Sequence, residues 1–206
     1  MNSSNLVPII LAAGASRRMG RPKALLDFDG TCALELLLEA MAGYGPPVVV
    51  LGPDHGEIRR RVSSGGVRWV YNLDVESGQT HSLKAALLVL PPSAPGFFFI
   101  PVDFPLVLAT DVARLVDAWH ADAGGKSIFI PSHRMKRGHP VLCRWPIAEE
   151  ILALGPGASA RDVVNCDPGR VEHVLFPEPN VLMDMDTPDD YALCLDEYRT
   201  RIARRS

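Results

Sequence analysis

The 206-residue chain is poor in cysteine, and its four cysteines (Cys32, Cys143, Cys166 and Cys194) include no CxxC pair. No Cys/His group has zinc-binding spacing, which excludes a zinc finger and a thioredoxin-like redox pair. Four isolated thiols suit a reducing compartment, so a cytoplasmic location is expected. Long apolar runs are missing too: none approaches the ~18 residues of a membrane span, and no membrane partner is expected. Leu6 to Ala13 is apolar and near the start, but no basic residue precedes it, Pro8 interrupts it, and Arg17 and Arg18 follow. It reads as a buried strand, not as the core of a signal peptide. There is no excess of basic charge. The formal net charge is −3, which gives no support to a nucleic-acid surface. Two common phosphate-loop patterns also fail. In GxxxxGK[ST] a Lys must follow the second glycine, but Arg21 and Pro22 follow Gly20. GxGxxG is absent as well.

What is present is an ordinary core-forming composition, 47% hydrophobic and 22% charged, so a folded chain is expected. Apolar periodicity predicts strands at Val7–Leu11, Val48–Leu51, Val67–Tyr71, Phe97–Val102, Ser127–Pro131, Pro140–Cys143 and Val171–Phe176. Helical spacing predicts helices at Ala33–Ala42, Glu57–Val62, Ser82–Leu90, Thr110–His120, Ile147–Leu154 and Ala160–Asn165. Thr110 or Asp111 is the expected cap of the fourth of these, and Ser82 a cap of the third. Thr187, Pro188, Asp189 and Asp190 place cap, first-turn proline and early acids in order for a terminal helix. Strands alternating with helices predict an α/β chain: a three-layer α/β/α, Rossmann-like fold with a mostly parallel sheet. The Pro/Gly-rich stretches 43–47, 91–96 and 155–157 are too short for linkers, so a single domain over 1–206 is expected.

The first predicted strand runs into LAAGASRRMGRPKALL, Leu11 to Leu26. Gly14 and Gly20 allow tight turning and close approach to a ligand. Ser16 adds a hydroxyl donor, and Arg17, Arg18 and Lys23, with Arg21 between them, put four cations in seven residues with no acid among them. Backbone N–H groups and cations so gathered suit a polyphosphate and the charge its leaving group gains. Asp103 directly follows the most apolar run and should stand at the carboxyl end of a central strand, the ligand-binding edge of open α/β sheets. A carboxylate there can hold Mg²⁺. Asp184 and Asp186, two residues apart in an extended segment, point the same way, and either can supply a second ligand.

These strings resemble the MobA-like NTP transferases. LAAGASRRMGRPK is similar to the family's LAAGxSxRMGxPK signature. Asn72, Gly78, Ser82 and Leu83 resemble its Asn–Gly–Ser–Leu stretch, PVDFPLV its Asp–x–Pro metal turn, RGHPVL its Arg-Gly-His-Pro motif and MDMDTPDD its late DxDTPxD motif. The resemblance implies a Mg²⁺-dependent nucleotidyltransferase with Arg18, Lys23 and Asp103 in the chemistry. It places Leu11, Ala12, Ala13, Gly14, Ser16, Arg18, Lys23, Asn72, Gly78 and Ser82 around the nucleotide, with Gln79 and Thr80 nearby. Asp103 and Asp186 would hold the metal, with Asp184 as fallback. Arg137 and His139 would face the acceptor, with Arg134 and Lys136 adding charge. The LAAG spelling favours CTP over GTP. The implied acceptor is a phosphorylated small molecule such as molybdopterin, a sugar phosphate or another small phosphate, and a transient contact with a cofactor-receiving enzyme would follow. A nucleotide-binding delivery protein without chemistry is the remaining alternative.

Overall fold

The computed structural model describes residues 5–14, 19–62, 65–74 and 78–205. Its strands are β1 (Val7–Ala12), β2 (Asp27–Phe28), β3 (Thr31–Cys32), β4 (Val48–Leu51), β5 (Arg68–Tyr71), β6 (Gly96–Pro101), β7 (Ile128–His133), β8 (Lys136–Arg137), β9 (Val141–Arg144) and β10 (Val171–Leu175). Its helices are α1 (Ala33–Ala40), α2 (His55–Arg61), α3 (Gly78–Leu87), α4 (Ala109–Ala121), α5 (Trp145–Ala153), α6 (Ala160–Asn165) and α7 (Pro188–Arg205). The main sheet has the order β10-β7-β9-β6-β1-β4-β5, with β8 paired to β7. β6, β1, β4 and β5 are mutually parallel, as are β10 and β7. β9 enters between β6 and β7, antiparallel to both.

Alternation along β1 shows why helices cover both faces. Ile10 and Ala12 join one core with Leu37 of α1, Ile58 of α2 and Leu115 of α4. Val7, Ile9 and Leu11 join the other with Leu83 of α3, Ile147 of α5 and Val164 of α6. A strand buried on both faces must be apolar throughout, and every residue of β1 is buried. A third core forms where α7 meets the β2–β3 hairpin. Tyr191 and Tyr198 set their rings edge-on to Phe28, with centroids 5.7 and 5.4 Å away.

Three local expectations need correction. α3 begins at Gly78, four residues earlier than its pattern suggested, so Ser82 is a buried residue inside the helix and not its cap. α3 also ends at Leu87 instead of Leu90. α4 begins at Ala109 after Leu108, and neither Thr110 nor Asp111 is the cap; the Asp111 carboxylate reaches back to accept from the Leu108 N–H at 2.9 Å. The short hairpin strands β2, β3 and β8 were not read at all, because two residues carry no periodicity.

Candidate active site

β1, β4 and β6 run parallel and end at the same edge of the sheet, so the segments that follow them share one crevice. There a cavity of about 440 Å³ is walled by Leu11 to Gly14, Pro22 to Ala24, Gly78, Gln79, Ser82, Pro101 to Asp103 and Asp186. The sequence expectation thus meets in one place for Leu11, Ala12, Ala13, Gly14, Lys23, Gly78, Ser82, Asp103 and Asp186. Ser16, Arg17 and Arg18 lie outside the described residues. Gly20 has a left-handed backbone, φ +66°, as its turning role requires. Gly14 does not, and nothing lies within 4 Å of where its Cβ would be.

Lys23 stands at the centre. Its ammonium donates to Asp103 Oδ2 at 3.2 Å and to Asp186 Oδ1 at 2.6 Å. Burial works against the Lys23 charge, but the two carboxylates outweigh it and hold its pKa above the ordinary lysine value. At Asp103 the balance is reversed. Burial raises its pKa, and the nearby ammonium only partly offsets that. Asp103 Oδ1 is buried and has no hydrogen-bond partner among the described residues. An orphaned carboxylate oxygen of this kind beside a second acid suits a hard cation that takes oxygen ligands. Asp103 and Asp186 therefore fit a divalent ion that takes oxygen ligands.

Asp186 is delivered by packing. Met185 is fully buried in the third core, and its N–H donates to the Asp103 carbonyl at 2.9 Å. With Met185 turned inward, its neighbours Asp184 and Asp186 turn outward, and Asp186 is the one that walls the cavity. Burial, then the charges of Asp186 and Asp103, push the Asp184 carboxyl up. The next residue closes the segment: Thr187 caps α7, its N–H and hydroxyl donating to Asp190 at 2.9 and 2.7 Å while its hydroxyl accepts the Asp190 N–H.

On the other wall, Asn72 is buried behind the cavity and does not line it. Its Nδ2 donates to Ser82 Oγ at 2.9 Å, so it orients the hydroxyl that does. Thr80 accepts the Ala160 N–H at 3.0 Å and ties α3 to α6. Asp54 and Ile58 also wall the cavity and went unread. A usable signal existed, since Asp54 follows the carboxyl end of β4 just as Asp103 follows that of β6.

A second cavity, about 800 Å³, adjoins the first and shares Leu11, Gly78 and Gln79 with it. Phe99, Ile130, Val141 and Val164 give it an apolar floor, and Arg137, His139, Arg161 and Asn165 line it. Arg137 donates to Asn165 Oδ1 at 2.6 Å. Arg134 and Lys136 are exposed and do not line this cavity. The His139 ring packs 4.6 Å from that of Phe104, and its Nδ1 is buried without a hydrogen-bond partner among the described residues. Burial pulls its pKa down to about 4, so it is neutral at physiological pH. Gly138 is fixed by close approach: a Cβ there would fall 2.2 Å from the Val181 carbonyl oxygen.

Residues 8–174 match the model of the MobA-like NTP transferase domain. The chain belongs to that family. It is thereby a nucleotidyltransferase, and the expected Rossmann-like fold is that of its structural neighbours. Molybdenum cofactor cytidylyltransferase of Escherichia coli is 26% identical over 192 residues, 92% of this chain and 95% of that protein. Phosphoenolpyruvate guanylyltransferase of Rubrobacter xylanophilus is 28% identical over 198 residues, covering 91% and 90%. Among solved structures, the Rv0371c homologue of Mycobacterium sp. strain JC1 superposes with a TM-score of 0.81 at 27% identity, covering 96% of this chain and 98% of that one. Rv0371c of Mycobacterium tuberculosis in complex with manganese gives 0.76 at 25%, covering 93% and 97%. In this family member the matched segment ends before Asp186, so the second acid comes from beyond it. Among the described residues, no helix is long and apolar enough to cross a membrane.

Proposed function

We propose that the protein transfers a nucleoside monophosphate, CMP from CTP, to a phosphorylated small-molecule acceptor of the molybdopterin kind, with Mg²⁺ and release of pyrophosphate. The observation that carries this reading is the Lys23–Asp103–Asp186 constellation beside the Ala12–Gly14 backbone, in a cavity that adjoins a second one at Leu11, Gly78 and Gln79. One cavity is sized for a nucleotide. The other combines an apolar floor with Arg137 and Arg161, which suits an acceptor with a flat apolar body and an anionic end.

In the proposed reaction an acceptor phosphate oxygen attacks the α-phosphorus of the NTP in line. The new P–O bond forms as the bond to the β-phosphate bridging oxygen breaks, and pyrophosphate leaves with that electron pair. A phosphate nucleophile is already ionised, so no general base is needed; neutral His139 is not cast as one. Lys23 offsets the charge growing on the α-phosphoryl oxygens, and Arg18 holds the β- and γ-phosphates. Asp103 and Asp186 would hold Mg²⁺, which supplies further charge neutralisation at the phosphates when bound. The manganese complex of the mycobacterial relative supports a divalent ion in this fold. CTP is favoured by the LAAG spelling and by the cytidylyltransferase relative.

The test is pyrophosphate release from each of the four NTPs with molybdopterin and with sugar phosphates. Turnover with CTP and molybdopterin is expected. Turnover confined to GTP, or to another acceptor, would replace the base or acceptor part of the reading while leaving nucleotidyl transfer in place.

A further inference from the structure

The same two carboxylates proposed as metal ligands are held by Lys23, at 3.2 Å for Asp103 and 2.6 Å for Asp186. The inference therefore rests on that reading. Mg²⁺ or Mn²⁺ binds carboxylate oxygens at roughly 2.1 Å. An ion there would stand against the ammonium, like charge facing like charge at close range. The side chains of Lys23 and Asp103 are only 15% and 18% exposed, against 51% for Asp186, so solvent screens that repulsion weakly on the Asp103 side. The observed pairing and metal binding through the same oxygens exclude each other.

We propose that Lys23 is a built-in stand-in for the metal. It offsets part of the charge of Asp103 and Asp186 until a nucleotide phosphate draws its ammonium away, and only then do the two acids take the ion at full strength. Lys23 thereby has a second role besides stabilising the reacting phosphate: it keeps the ion from binding strongly before the nucleotide. By linkage, the ion must also tighten nucleotide binding by the factor with which nucleotide tightens the ion. Asp103 Oδ1, which has no hydrogen-bond partner among the described residues, is an oxygen open to the ion in addition to those the ammonium now holds.

The experiment measures Mn²⁺ binding to the whole chain by electron paramagnetic resonance of the free ion. It is done with and without a nonhydrolysable CTP analogue, after subtracting the ion held by free nucleotide. Phosphate oxygens on the ion would give some coupling by themselves, so the nucleotide-free comparison of wild type with Lys23→Met decides. The variant is expected to bind Mn²⁺ about tenfold more tightly than wild type, and to lose most of the gain that nucleotide gives. Lys23→Gln, which keeps a polar side chain, should behave alike, and circular dichroism checks that both fold. Equal or weaker Mn²⁺ binding by both folded variants overturns the stand-in role while leaving Asp103 and Asp186 as ligands. If wild type takes up no Mn²⁺ even with the analogue, the metal reading itself falls and takes this one with it. Should neither variant fold, an unchanged nucleotide affinity with and without Mn²⁺ in the wild type is the result that overturns it.

Discussion

The two cavities that meet at Leu11, Gly78 and Gln79 are built from different material. The proposed nucleotide side is made largely of segments at and after the ends of parallel strands, with main chain at Ala12 to Gly14 and charge at Lys23, Asp103 and Asp186. The proposed acceptor side is made of side chains projecting from the sheet at Phe99, Ile130 and Val141, and from α6 at Arg161 and Asn165. Under the proposed reading, backbone and charge at strand ends form a reaction centre in which positions must be held closely. A chamber floored by side chains can be recut without disturbing that centre. Two of the relatives fit this division: the cytidylyltransferase of Escherichia coli and the guanylyltransferase of Rubrobacter xylanophilus both transfer a nucleotidyl group but differ in base and acceptor.

The contrast can be broken first at its chemical end. Asp103→Asn should cut pyrophosphate release by roughly a thousandfold, the scale of losing one fixed electrostatic group from such a site. A loss under tenfold would remove Asp103 from the reaction. Next comes a pair of glycines, one on each side. Gly138→Ala drives a Cβ into the Val181 carbonyl oxygen and should cost about 1–3 kcal/mol of stability, seen as a lower Tm. Gly14→Ala has open space around its Cβ, so its Tm should hold while the KM for NTP rises. If Gly14→Ala instead lowers the Tm and spares the KM, the nucleotide wall has been misplaced.

Arg137→Ala and Arg161→Ala test the acceptor side. Each should raise the acceptor KM about tenfold, the scale of one charge-assisted contact, with little change in the KM for NTP. Equal shifts in both KM values would mean that the cavities do not divide the substrates. The smallest effect concerns His139. Its folded pKa, about 4, lies below the ordinary histidine value of 6.5, so folding favours the neutral ring. Its contribution to stability is complete above about pH 6.5 and is lost as pH falls toward 4. Thermal melts from pH 7 to 4 should therefore fall less steeply for His139→Gln than for wild type, and parallel curves would count against burial as the cause.

Asn72 illustrates how far sequence reading reached. Its motif marked the right neighbourhood, but only the fold shows that it sits behind Ser82 and aims the hydroxyl. Asp186 illustrates the reverse. The alternation of Asp184, Met185 and Asp186 gave both acids one direction, yet nothing in that spacing chose between them. Burial of Met185 turns both outward, and only the fold shows that Asp186 walls the cavity and meets the Lys23 ammonium at 2.6 Å. Asp54 was missed because a lone acid after Gly52 and Pro53 has no pattern around it, although the strand-end rule that found Asp103 applies to it equally.

By itself the sequence determined the layers and the parallel first half of the sheet, and it gathered the glycines and cations of the segment after β1 on which the proposed phosphate site rests. Those follow from local periodicity and from charges close together along the chain. Tertiary structure decided that β9 slots antiparallel between β6 and β7, that Asp186 and not Asp184 joins Asp103, and that Lys23 bridges the two across 80 and 163 residues of chain. Such pairings depend on which distant surfaces bury each other best, and no local spacing records that.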